Sequence, residues 1–156
     1  MLTRHPASTR RIFKAEGCAA PGGWRGAVYR AREAAAAKLA WVEAHAPPPG
    51  ALLDVGANVG HFAAAAARRY DTSAIEPNVH AVRWARERLQ APVAAGSIYD
   101  PHPEFAARFD AVTLFDVIEH LPDASAALAR CRDWLRPGGR LFVTTPDAGS
   151  RLARLM

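Results

Sequence analysis

The segment Leu52-Leu53-Asp54-Val55-Gly56-Ala57-Asn58-Val59-Gly60-His61-Phe62 carries an acid, two glycines and an asparagine between a short apolar run and a helical one. Glycine in such a turn leaves no side chain where a ligand must approach the backbone. The helix that follows starts with free N–H groups, which favour a carboxylate or phosphate. Glu76 ends the next apolar run, about twenty residues further on, where an acid accepts hydrogen bonds from the ribose hydroxyls of an adenosine ligand. Turn and acid in this order are more specific than either alone. The bland alternative is a structural turn followed by a surface glutamate.

Placing that turn requires strands and crossover helices around it. Residues 1–23 read as a flexible lead-in with Pro6, Pro21 and the Gly22-Gly23 pair. From Trp24 to His45 there is no proline, and Val28, Ala31, Ala35, Leu39 and Val42 recur near helical spacing, which predicts one amphipathic helix. Pro47-Pro48-Pro49-Gly50 ends it. Further strands are expected at 51–55, 72–75, 92–95 and 110–115, and helices at 62–69, 78–89 and 125–135, the last capped by Asp123. Pro137-Gly138-Gly139 reads as a turn before a last strand at 140–145. Strands alternating with helices imply an α/β fold with a doubly wound, mostly parallel sheet. The apolar run Ala111-Val112-Thr113-Leu114-Phe115 fits a sheet covered on both faces. The expected organisation is lead-in 1–23, an N-terminal helix or lid 24–46, and a ligand-binding domain 47–156.

The turn distinguishes between nucleoside ligands. Dinucleotide turns read G-x-G-x-x-G, whereas this one reads Asp54-x-Gly56-x-Asn58-x-Gly60. That pattern resembles the first motif of class I S-adenosylmethionine (SAM)-dependent methyltransferases. Phe109-Asp110-Ala111-Val112-Thr113-Leu114-Phe115-Asp116-Val117-Ile118-Glu119-His120-Leu121-Pro122-Asp123 resembles their fourth-strand region. Arg136-Pro137-Gly138-Gly139-Arg140-Leu141-Phe142-Val143-Thr144-Thr145-Pro146 resembles the fifth. The three motifs stand in the family's order and span roughly Lys38 to Pro146. They are most similar to the branch containing the ubiquinone-biosynthesis O-methyltransferases.

The resemblance implies a Rossmann-like fold with SAM as cofactor. Asp54 would meet the ammonium end of methionine, directly or through water. The backbone of Gly56, Ala57, Asn58 and Gly60 would line the methionine portion. Glu76 would hold the ribose, Ser97 and Ile98 would flank adenine, and Phe115 would contact the cofactor through its backbone. Lys38 stands where the family often has arginine and would meet the SAM carboxylate; the alternative is a solvated helix charge. Two positions depart from the pattern. Asn58 replaces a frequent glycine, and asparagine tolerates positive φ. Ser97 replaces a frequent aspartate on the adenine amino group, so the contact there lacks charge. The chain ends soon after the last strand, so the sheet is expected to lack the last two strands of the full fold. An open edge would remain, to be covered by a partner chain, a second copy or further residues.

Methyl transfer from a sulfonium needs position and electrostatics, with no metal and no covalent nucleophile. An oxygen or nitrogen acceptor needs a base. His120, just past the fourth strand, is the candidate, since histidine suits proton transfer near neutrality; the alternative is that Glu119-His120 orders the loop before Pro122. Asp116 either helps at the same mouth or stabilises the loop. His61 reads as structural or solvent-facing. Tyr29 and Arg30 would add to an acceptor pocket if their helix is a lid.

Composition narrows the field. The 156 residues are 50% hydrophobic and 22% charged, which fits a single packed domain rather than disorder. The net charge of +5 is carried by scattered arginines, paired only at Arg10-Arg11 and Arg68-Arg69, without the basic stripe of a nucleic-acid binder. Cys18 and Cys131 form no CxxC, so free thiols in a reducing compartment, the cytoplasm, are expected. No apolar run is long enough for a bilayer. The sequence therefore reads as a methyltransferase acting on a small molecule. The alternatives are a non-catalytic SAM-binding module or accessory subunit, and a nicotinamide-dependent oxidoreductase domain.

Overall fold

The structure is a computed structural model in which residues 23–146 are described, with side chains from residue 30 onward. The expected lead-in, Cys18 and the Tyr29 side chain lie outside the described residues. The chain divides into two compact units, Met1–Ala34 and Ala35–Met156. In the first, the described part is the opening of helix α1 (Gly23–His45), where Arg30, Arg32 and Glu33 are exposed.

The second unit holds the rest of α1 and a five-stranded sheet. Ala35 and Val42 are buried and Leu39 is half-buried, so this part of the expected apolar stripe packs as one face. The tri-proline then ends the helix, since proline cannot continue its hydrogen bonding. Strand β1 (Ala51–Val55) leads to α2 (His61–Ala66), β2 (Asp71–Glu76) and α3 (Val79–Trp84), which widens into a π-helical turn over Ala85–Leu89. The short β3 (Val93–Ala95), β4 (Phe109–Phe115), α4 (Ala124–Trp134) and β5 (Leu135–Thr144) follow, with 3₁₀ turns at Pro103–Phe105 and Ile118–His120. Asp123 caps α4 as expected, accepting the Ala126 N–H at 2.9 Å.

The strand order is β3-β2-β1-β4-β5, and every pairing is parallel. The winding therefore reverses between β1 and β4, the place where open α/β sheets bind ligands beyond their carboxyl ends. Residues alternate across the sheet with period two. Leu52, Ala111 and Phe142 pack with Val42 of α1 and Phe62 of α2. Leu53, Val112 and Leu114 pack with Ala127, Cys131 and Trp134 of α4. Both faces are thus covered, which is why β1 and β4 read as nearly unbroken apolar runs. β5 is, among the described residues, the outermost strand on its side. Among the described residues no helix is long and apolar enough to cross a membrane.

The last strand departs from its expected start. Leu135 already pairs with Phe109, directly after α4, and pairing resumes at Arg140 opposite Ala111. Pro137-Gly138-Gly139 is therefore a bulge within β5 rather than a turn before it. Arg136 in the bulge pairs with the Asp110 carboxylate, whose Oδ2 accepts the Ala51 N–H at 2.8 Å. One acid thus ties the bulge to the start of β1.

Candidate functional site

Beyond Val55 the chain bends with Gly56 at φ +75°, Asn58 at +49° and Gly60 at +76°. Asparagine thus takes the left-handed conformation expected of it. The N–H groups of Gly56 and Ala57 both donate to the Ile75 carbonyl, at 2.9 and 3.1 Å. The glycines also fit close neighbours within the protein. A Cβ on Gly56 would stand 2.5 Å from Cγ2 of Val117, and one on Gly60 would stand 3.0 Å from the Cβ atoms of Ala85 and Ala91. The missing side chains make room for the protein's own loop after β4 and for the segment leading to β3.

Glu76 is buried at the tip of β2. Its Oε2 accepts the Asn58 N–H and its Oε1 the Asn78 N–H, both at 2.8 Å. The carboxylate faces the glycine turn and braces it. An ionised carboxylate offers about four lone-pair positions, so each oxygen keeps one after these bonds. Two acceptor positions therefore remain on this carboxylate.

Asp54, only 3% exposed, accepts the Thr113 hydroxyl at 2.7 Å. Burial pushes its carboxyl up to about 6; the Thr113 bond and the positive charge of Lys38 pull it down, and the charge of Glu76 adds to the rise. Sequence reading passed over Thr113. A lone hydroxyl within the apolar run Ala111–Phe115 was the available signal, because a buried polar group needs a partner.

Lys38 forms an ion pair with the residue that follows β4. Its Nζ donates to Asp116 Oδ2 at 2.8 Å and lies 4.9 Å from the Phe115 ring centroid. Asp116 sits at φ +60°. Its Oδ1 accepts the Thr144 hydroxyl at 3.0 Å, and its N–H donates to the Thr144 carbonyl at 2.9 Å. The bond from Lys38 holds its carboxyl below the usual range. The Phe115 ring packs edge-on against Phe62, 4.9 Å between centroids.

Ser97 lies in a tight loop after β3. Its N–H donates to Asp100 at 2.7 Å, its hydroxyl accepts the Tyr99 N–H at 3.2 Å, and its carbonyl lies 3.1 Å from His102 Nε2. Ile98 is 3% exposed, with its side chain in the core, so its backbone alone is available to a neighbouring ring. Asp100 and His102, which shape this loop, carried no motif in the sequence.

His120 is exposed on the 3₁₀ turn after β4, and its N–H donates to the Val117 carbonyl at 2.9 Å. Among the described residues no hydrogen bond or ion pair joins its ring to Lys38, Asp54 or Glu76. His61 is half-buried with its ring 5.9 Å from that of Trp84. A cavity of about 300 Å³ lies elsewhere, against the edge strand, lined by Trp41, His45, Arg140, Leu141 and Phe142. It includes none of the residues expected to bind a cofactor.

Residues 27–156 match the methyltransferase domain family. The ubiquinone biosynthesis O-methyltransferase of Xanthomonas axonopodis pv. citri is 36% identical over 115 residues, 69% of this chain and 48% of that protein. The enzyme of the same name from Xylella fastidiosa is 34% identical over 115 residues, 69% of this chain and 47% of its own length. The chain therefore spans about half the length of these relatives. Among solved structures, DesVI of Streptomyces venezuelae superposes with a TM-score of 0.68 at 22% identity, over 91% of this chain and 59% of that one. SAM-bound CalS10, an amino pentose methyltransferase from Micromonospora echinaspora, superposes at 0.63 and 24% identity, over 94% of this chain and 59% of that one. These likenesses establish the Rossmann-like fold, and with the match over 27–156 the chain belongs to the methyltransferase domain family.

Proposed function

We propose that residues 47–156, with Lys38 from the preceding helix, bind SAM and transfer its methyl group to a small-molecule acceptor. The observation that carries this reading is the Glu76 carboxylate turned onto the glycine bend with acceptor capacity left on both oxygens. Asp54 at the foot of the bend supplies an anion for the ammonium of the methionine end, and Lys38 a cation for its carboxylate. The Ser97 loop borders adenine, using the Ile98 backbone rather than its side chain.

When bound, SAM supplies a methyl group already activated by its sulfonium, so the protein's task is position and proton transfer. The names of the curated relatives make a hydroxyl the first acceptor to test. His120 would take the hydroxyl proton as that oxygen accepts the methyl group and the carbon–sulfur bond is given up. Family membership favours this reading over a nicotinamide enzyme.

Calorimetric titration of the chain with SAM, with NAD as control, tests the binding step. Saturable SAM binding without NAD binding is expected; the reverse would overturn the proposal. Incubation with SAM and a catechol then separates an enzyme from a binding module, since the module would hold SAM without forming a methyl ether.

A further inference from the structure

Asp116 has two carboxylate oxygens with separate duties. Oδ1 takes the Thr144 hydroxyl at 3.0 Å, and the Asp116 N–H is bound to the Thr144 carbonyl, so the residue is fixed to the end of β5. Oδ2 is given to Lys38 at 2.8 Å. The residue also sits at φ +60° without being glycine, a conformation that persists only where surrounding bonds over-determine it. Thr144 thus keeps the carboxylate in place whether or not Lys38 stays on it.

The pair itself is loose. The side chain of Lys38 is 30% exposed and that of Asp116 is 55% exposed. A pair this open contributes little and exchanges partners easily. The Lys38 charge also favours the ionised form of the buried Asp54.

Charge counting makes Asp116 the surplus group. A bound amino-acid zwitterion brings one carboxylate and one ammonium. On the reading above, Asp54 answers the ammonium and Lys38 the carboxylate. Two carboxylates on one lysine repel each other, so the ligand carboxylate and Asp116 compete for Lys38.

We propose that Asp116 is a built-in competitor for the cofactor's carboxylate. It holds Lys38 until the ligand arrives and takes it back when the product leaves, which limits how tightly the demethylated product is retained. The inference rests on the assignment of Lys38 and the glycine bend to SAM.

The test uses Asp116→Asn, because asparagine keeps an acceptor for Thr144 and tolerates positive φ. The probes are S-adenosylhomocysteine and 5′-methylthioadenosine, which share the adenosine and thioether but differ in the amino-acid end. Asp116→Asn is expected to bind S-adenosylhomocysteine about two- to five-fold more tightly, the range of an exposed ion pair. Its affinity for 5′-methylthioadenosine should not change. In a Lys38→Met background the gain should vanish, an outcome that a merely structural role of Asp116 does not produce. Weaker or unchanged binding of S-adenosylhomocysteine by Asp116→Asn overturns the competitor role and leaves the SAM reading intact. A gain that survives Lys38→Met overturns it as well. If the unaltered chain binds neither probe, the SAM reading fails and the competitor role fails with it.

Discussion

The Glu76 carboxylate accepts the Asn58 N–H at 2.8 Å and so joins the tip of β2 to the middle of the bend after β1. Its second oxygen does the same for Asn78, at the cap of α3. One side chain therefore shapes the turn and faces whatever binds there. Structural and ligand roles overlap in a single group, and a substitution must be read for both.

Glu76→Ala removes the acceptor of two backbone N–H groups and both proposed ribose contacts. Hydrogen bonds to a charged group are worth about 1.5–3 kcal/mol, so SAM affinity is expected to fall by at least that amount. The denaturation midpoint should fall too, because the bend loses its brace. An S-adenosylhomocysteine analogue without the 2′-hydroxyl separates the two effects. It should bind the unaltered chain less well than the parent compound, yet show no such deficit in Glu76→Ala. An undiminished affinity for SAM in the variant would place the ribose elsewhere.

Gly56→Ala should be costly even without ligand. Its Cβ would approach Val117 to 2.5 Å at a φ of +75°. Left-handed backbone costs a non-glycine residue roughly 1–2 kcal/mol, and overpacking about 1–3 kcal/mol. A loss of about 2 kcal/mol or more is expected in chemical denaturation. Adding Val117→Ala should return only part of it, since the backbone cost stays. Full recovery in the double variant would show that the conformation carries no strain.

The parts of this arrangement differed in how far the sequence revealed them. The bend and Glu76 were legible because each follows an apolar run, and period and punctuation locate such run ends to within a residue or two. Asn58 at positive φ was legible because few other side chains suit that position. Thr113 meets Asp54, and Thr144 meets Asp116, only through strand pairing, β4 against β1 and β5, so no local pattern marks those contacts. The bulge in β5 was misread because proline and glycine punctuate turns and bulges alike. The arginine that fixes it answers Asp110, a residue on another strand. The contact of Gly56 with Val117 was not legible, because Val117 comes from a loop distant in sequence.

Asp54 should make stability fall as the solution becomes less acidic. Its folded-state carboxyl lies at about 6 against an ordinary value of 3.8. The folded chain thus binds the proton more tightly than the unfolded one. The associated stability is complete below pH 3.8 and is lost as pH rises through about 6. The interval corresponds to about 3 kcal/mol. Asp54→Asn keeps an acceptor for Thr113 and cannot ionise. Urea denaturation at pH 4.5 and 7.5 should show the variant gaining on the unaltered chain at the higher pH. An equal difference at both would mean that Asp54 titrates alike in the two states. An acid that costs stability at neutral pH is expected where function needs the charge.

His120 invites the cleanest division between binding and chemistry. It is exposed, and its ring is tied to no other described group, so His120→Ala should alter stability by no more than about 0.5 kcal/mol. Its proposed contact is with the acceptor hydroxyl rather than with SAM, and SAM affinity should stay nearly unchanged. Removing a general base slows proton transfer by about 10²–10⁴-fold, and the methylation rate should fall within that range. Added imidazole should restore part of the rate, because a small base can enter an open mouth. Full activity in the variant would remove His120 from the chemistry and leave it as a loop residue. A drop in rate that imidazole does not touch, together with weaker SAM binding, would place it in the cofactor site instead.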